Sequence, residues 1–257
     1  MLRSFLFVPA KHKMICKIGS LGADAYIIDL EDSIEEGKKI EALNETEQFL
    51  AAYDFSIPVY VRVNCETFVD EVNRLKIFPQ VGFMLPKFEN ISFYKECSSI
   101  WEKHKVIALV ETPMGIVNIQ EIAKCDWVDA IAFGAEDYTA LVNMENTPEL
   151  LTYQKSRLLT FAKAYGKYTL DTPSFQIDSR KDFEAETQLA VRMGFDAKMA
   201  ITPKHIEYIN DSFNQLSHEE ILKIVEEYEA EGNAVQVIGG KVYEKMHINR
   251  LKKLLNK

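Results

Sequence analysis

The chain is short of the features that build soft-metal clusters, disulfide frames and membrane spans. Its four cysteines, Cys16, Cys65, Cys97 and Cys125, are dispersed with no CxxC pair. That spacing speaks against a structural zinc site or a disulfide scaffold and suits reduced thiols in a cytoplasm. No stretch reaches the roughly 18 apolar residues of a membrane-spanning helix, so no membrane partner is expected. The opening MLRSFLFVP holds one arginine before a strand-like run too short for a signal-peptide core. Positive charge is also scarce: 30 Lys and Arg face 39 Asp and Glu, a net charge of −9 with no sustained basic stretch. Nucleic acid is therefore not an expected partner, whereas an anion could bind where positive charge is local. Gly/Ser/Pro-rich linkers are missing too, which argues against two separate domains in 257 residues.

What the chain does contain is a repeat of kind rather than of letters. Eight short runs rich in Val, Ile, Leu and Phe each stop at a polar or charged residue or at proline: 4–9, 25–31, 59–64, 82–87, 106–111, 130–137, 168–171 and 196–202. All but the last precede a longer stretch that reads as helix. Strand-then-helix repeated eight times predicts a parallel sheet closed into a (β/α)8 TIM barrel, a fold of about 250 residues. The expected barrel covers residues 1–212. After the last strand come two helices, about 204–214 and 218–231, a hairpin in GNAVQVIGGKVY and a basic helix over 244–257; residues 213–257 are expected as an extension packing on the barrel or on a neighbouring subunit.

Chemistry in such a barrel sits where the strands end, and the runs place Glu31, Asp32, Arg62, Lys87, Glu111, Asp137 and Asp171 there. Glu111 closes VIALVE and Asp137 closes AFGAED. Neighbouring strands lie about 4.8 Å apart, so the two carboxylates can reach one cation, and hard oxygen donors without His or Cys favour Mg²⁺ or Mn²⁺. Helix capping is the competing account of both acids. Arg62 interrupts the apolar strand VYVRVN, where a guanidinium holds either a carboxylate ligand or a structural partner such as Glu31 or Asp32. Glu31 and Asp32 read as outer acids around a metal or as caps of the next helix, and Asp29 as a structural hydrogen-bonding group. Lys87 is the one well-placed candidate for Schiff-base chemistry, against a plain ion pair. Lys11, His12 and Lys13 form a basic cluster that reads as phosphate-attracting or as a solvated helix start. Cys65 reads as a bystander.

Taken together, RSFLFVPA, GADAYIIDLEDS, VYVRVN, GFMLPKFE, ALVETPMGIVN, AFGAEDYTA, LDTP, GFDAKMAITPKHIEYIN and GGKVYEKMHINR resemble the citrate lyase β-subunit-like branch of the HpcH/HpaI aldolase family. The resemblance runs over almost the whole chain. It implies a cytoplasmic homotrimer with Mg²⁺ in the barrel mouth, Glu111 and Asp137 as metal ligands, Arg62 as the substrate-binding arginine and Glu31 and Asp32 as the outer acids. The amides around Ala135, Glu136 and Asp137 are expected to meet a substrate carboxylate. Implied chemistry is cleavage or formation of a carbon–carbon bond between an acyl-CoA enolate and a keto acid. Four departures bear on it: Pro9-Ala10-Lys11-His12 replaces a Pro-Gly turn, Asn64-Cys65-Glu66-Thr67 lacks a glycine, Thr202 replaces a histidine, and Glu244 stands where the tail carries a catalytic aspartate. The altered first loop leaves open an aldolase acting on a keto acid without CoA, and a non-catalytic ligand-binding barrel is the third alternative.

Overall fold

The computed structural model describes residues 2–213 and 218–255. Eight parallel strands, β1 (Ser4–Pro9), β2 (Ala25–Asp29), β3 (Val59–Arg62), β4 (Gly82–Leu85), β5 (Val106–Val110), β6 (Ala130–Phe133), β7 (Tyr168–Asp171) and β8 (Ala197–Ala200), pair in sequence order. β8 returns to β1, with Ser4 opposite Lys198 and Leu6 opposite Ala200, which closes the barrel. The expected (β/α)8 TIM barrel is therefore present.

Side chains alternate along each strand, and this parity decides what reaches the barrel axis. Phe5, Ala25, Ile27, Ile107, Leu109, Leu170 and Met199 pack together in one interior cluster. The other parity, including Tyr26, Ile28, Val61, Phe83 and Ala108, joins the larger cluster beneath the surrounding helices. Both faces are buried, as a parallel sheet requires.

Several elements are shorter than the sequence suggests. β2 stops at Asp29 rather than Glu31, and β6 stops at Phe133 rather than Asp137. Gly134 to Asp137 leave the sheet and start the helix Ala135–Leu141. After β4 the chain forms no single helix but Ile91–Tyr94, a 3-10 turn and Ser98–Trp101. Aromatic packing of Phe88, Tyr94, Trp101 and Trp127 takes over there from helical continuity. Thr112 and Pro113 start a helix: the Thr112 hydroxyl accepts from the Gly115 amide at 3.0 Å.

Leu2–Phe213 form one compact unit, and the described residues from His218 onward belong to a second. The second has its own core of Ile221, Val225, Tyr228, Ile238, Ile248 and Leu251. Its helix His218–Glu231 precedes an antiparallel hairpin, β9 (Val235–Ile238) and β10 (Lys241–Glu244). Gly239 and Gly240 turn that hairpin with φ of 56° and 78°, values that favour glycine. A helix over Lys245–Leu255 follows. The ends expected for the helices over 204–214 and 244–257 lie outside the described residues.

Candidate active site

Strand parity carries Asp29, two residues beyond Ile27, and Arg62, two beyond Tyr60, into the barrel mouth. There Asp29 grips Arg62 through two parallel hydrogen bonds, Nε to Oδ1 at 2.7 Å and Nη2 to Oδ2 at 2.8 Å. The guanidinium's remaining nitrogen, Nη1, lies 3.2 Å from Glu31 Oε2 and 2.9 Å from Asp32 Oδ2. The Phe7 ring lies 5.1 Å from the guanidinium carbon. Burial alone would raise the Asp29 carboxyl, but Arg62 and the amides and hydroxyl around it hold it below the usual range. Glu31 goes the other way: burial, reinforced by Asp32's charge, outweighs Arg62 and Lys87 and pushes its carboxyl up. Arg62 thus meets the structural partners foreseen for it, Glu31 and Asp32, and a third, Asp29, that the sequence had not paired with it and that makes the strongest contact.

Glu111 extends β5 by one residue on the parity of Ile107 and Leu109, and so it points into the mouth. It is 3% exposed, and its Oε1 accepts from the Lys87 amide at 2.8 Å. Lys87 reaches that geometry through a left-handed backbone, φ 47°, unusual for a side chain that carries a Cβ. Its ammonium turns to Glu31 Oε1 at 3.2 Å. Burial drives the Glu111 carboxyl up to about 8, with the charges of Asp137 and Glu31 adding to the shift and the Lys87 amide and Arg62 opposing it. Gly134 sits beside Glu111: a Cβ there would fall 2.6 Å from both the Cβ and Oε2 of Glu111. Only a glycine lets β6 approach this closely. Asp137 lies one step further, in the first turn of the helix Ala135–Leu141.

Asp29, Asp32, Arg62, Glu111, Ala135, Glu136 and Asp137 line one open cleft of about 330 Å³. Of the amides expected to face a ligand, that of Ala135 is taken by the Thr172 hydroxyl at 3.2 Å. Those of Glu136 and Asp137 belong to a first helical turn and have no intrahelical carbonyl. The donor set suits magnesium. Two carboxylates in a water-accessible cleft match an ion that keeps several waters, and the buried Glu111 carboxyl lacks a full counter-charge. Among the described residues no group of three or more His, Cys, Asp or Glu side chains is arranged as a closed metal cage.

The family model for HpcH/HpaI aldolase/citrate lyase matches residues 3–203. The chain belongs to the HpcH/HpaI aldolase/citrate lyase family. The citrate lyase subunit beta of Leuconostoc mesenteroides subsp. cremoris is 29% identical over 99% of this chain and 93% of that protein. A (3S)-malyl-CoA thioesterase of Cereibacter sphaeroides is 28% identical over 99% and 94%. Among solved structures, the citrate lyase beta subunit of Mycobacterium tuberculosis, complexed with oxaloacetate and magnesium, superposes with a TM-score of 0.71 at 28% identity, covering 82% of this chain and 96% of that one. By class this HpcH/HpaI protein is a carbon–carbon lyase, as its sequence suggests.

Elsewhere in this HpcH/HpaI barrel the strand ends do other work. Asp171 follows Leu170, an interior residue, and so turns outward to the helix side rather than into the mouth. There it is fully buried between Lys198, 2.7 Å from Oδ2, and Lys155, 2.8 Å from Oδ1. Lys198 also donates to the Thr172 carbonyl at 2.7 Å. Burial would raise Asp171, but the two ammonium groups hold it below the usual carboxylate range. Neither lysine stood out in the sequence, although a lysine inside the apolar run DAKMAIT was a signal. Sequence reasoning also passed over Lys39, whose ammonium bonds the carbonyls of Leu30 and Glu31 and Asn64 Oδ1 and ties the tips of β2 and β3 together. Lys87 proves an ion-pair partner, of Glu31 at the tip of the second strand run, and burial's downward pull on it is overcome by that acid, so it stays protonated. Thr202 caps a 3-10 turn by accepting from the Lys204 amide. Glu244 ends β10 in the second unit, exposed, its amide donating to His247 Nδ1 at 3.1 Å.

Among the described residues no helix is long and apolar enough to cross a membrane. All four cysteines are free thiols.

Proposed function

We propose that this protein is a Mg²⁺-dependent lyase that cleaves or forms a 3-hydroxyacyl-CoA thioester of the citryl, malyl or citramalyl kind. The observation carrying the reading is the buried, under-compensated Glu111 beside Asp137, facing Arg62 across one cleft. Glu111 and Asp137 would hold the metal. Bound there, it would polarise the keto-acid oxygens and stabilise negative charge as it develops.

The chain's own residues supply the rest. Asp29 fixes the guanidinium plane of Arg62, so a carboxylate or enolate oxygen meets a donor whose orientation is already set. Asp32, whose side chain is 58% exposed, is the partner of Arg62 that an incoming anion would displace. The Glu136 and Asp137 amides, without intrahelical partners at the helix start, would bind a carboxylate. Phe7 and Leu109, which line the cleft, would exclude water from the reacting carbon. We assign acid–base duty to Glu244, supplied by a neighbouring copy in a trimer, with Glu31 and Asp32 as outer acids.

Purified full-length protein should convert such a thioester to a keto acid and an acyl-CoA only when Mg²⁺ is present. Asp137→Asn should abolish that conversion, and Glu244→Gln should lower turnover while leaving metal affinity unchanged. Full turnover by Asp137→Asn would remove the metal role. Release of free CoA with the hydroxy acid intact would show thioester hydrolysis in place of carbon–carbon cleavage.

A further inference from the structure

The cleft is divided by charge. The ends of β2, β3, β5 and β6 carry Asp29, Asp32, Ser33, Arg62, Glu111, Glu136 and Asp137, whereas Phe7 of β1, Met199 and Ile201 at β8 and Phe175 beyond β7 form an apolar wall, with Leu109 two residues before Glu111 on β5 and Thr172 the polar residue after β7. From this division, and resting on the lyase reading above, we infer that the keto-acid half of the substrate carries hydrogen or a short alkyl group, not a second carboxylate.

Cation supply decides the matter. Arg62 is the one cationic side chain among the described residues lining the cleft, and Asp29, Glu31 and Asp32 already engage it. The ammonium of Lys87 is held by Glu31. Lys198, on β8 next to the apolar wall, turns outward to Asp171. Thr202, just beyond that strand, gives its hydroxyl oxygen to the Lys204 amide. One ligand carboxylate can therefore be served by Arg62 with the bound metal. A second, projecting toward Phe7, Met199 and Ile201, would lose water and gain no counter-charge from the chain that forms the barrel. Phe7 and Ile201 are only half-buried, so a methyl or ethyl group can lie against them.

The step balances without a further reactant. The bond between the carbinol carbon and the thioester α-carbon breaks, and its electron pair passes to the α-carbon as an enolate. The carbinol hydroxyl loses its proton and becomes the keto oxygen, while the enolate takes up one proton at carbon. The substituent that remains on the carbinol carbon is the group set against the apolar wall, so the keto product is of the glyoxylate, pyruvate or 2-oxobutyrate class.

Calorimetry on the full-length protein in Mg²⁺ tests this with pyruvate, 2-oxobutyrate and freshly prepared oxaloacetate as probes. Pyruvate and 2-oxobutyrate should bind about tenfold or more tightly than oxaloacetate, the penalty expected of an unpaired charge. Ile201→Lys, checked for its melting temperature, should shift the preference toward oxaloacetate by about tenfold. Oxaloacetate binding as tightly as pyruvate in the unaltered protein would overturn the inference while leaving the lyase reading in place. Binding of none of the three would overturn both. A folded Ile201→Lys protein with unmoved preference would overturn the role of this wall.

Discussion

Glu111 and Asp171 are both buried carboxylates at the ends of barrel strands, and their surroundings drive them in opposite directions. Asp171 stands between two lysines on the helix side, and its charge is stabilised by them. Glu111 stands in the mouth with one backbone amide as its hydrogen-bond donor and other acids nearby, and its carboxyl rises to about 8. One acid is neutralised by the fold itself; the other is left in want of a cation. A buried carboxylate therefore says little about function until its counter-charges are counted.

The largest expected effect comes from breaking the neutralised acid. Asp171→Asn strands two buried ammonium groups and should destabilise the protein by about 3–5 kcal/mol in urea unfolding, the usual result of removing one partner of a buried ion pair. Glu111→Gln should do the opposite to metal-free protein, holding or raising stability, while Mg²⁺-dependent turnover falls by about a hundredfold or more. Loss of stability in both variants would erase the distinction.

A smaller effect comes from overpacking beside the unneutralised acid. Gly134→Ala should cost about 1–3 kcal/mol, because its methyl must displace Glu111. Weakened Mg²⁺ binding in calorimetry should accompany that loss.

The pH dependence separates the two acids most finely. Asp171 has a folded pKa below its unfolded value, so its contribution is full above the unfolded value and fades as pH falls through the folded one. Glu111 has a folded pKa raised to about 8, so in metal-free protein its cost appears as pH rises past the unfolded value and is complete above the folded one. The stability gained in Glu111→Gln should accordingly be greater at alkaline than at mildly acidic pH, whereas Asp171→Asn should flatten the acid limb of the stability curve.

The barrel and the acid–arginine grouping were legible in the sequence because strands buried on both faces read as continuous apolar runs. Charged residues that interrupt such runs stand out, as Arg62 does. Parity was not legible to the same degree. A run that ends LDTP gives no sign whether its aspartate faces the axis or the helices, since a strand buried on both sides shows no alternation. Only the register with Leu170 inside settles that Asp171 points away from the mouth. The position of Asp137 on a helix rather than a strand was obscured for a related reason: Gly134 and Ala135 extend the apolar run in composition while Gly134 has already turned the chain. The closeness of Gly134 to Glu111 depends on β5 and β6 lying side by side, a long-range fact that no local pattern holds.

Asp32 also has a kinetic meaning. Tethered a few residues from Asp29, it is an intramolecular rival to any anion at Arg62, present at the high local concentration a short tether confers. On the proposed reading, the affinity of a substrate carboxylate for Arg62 is net of evicting it. Trimming Asp32 to alanine should therefore let simple monocarboxylates bind more tightly, at the expense of discrimination between them.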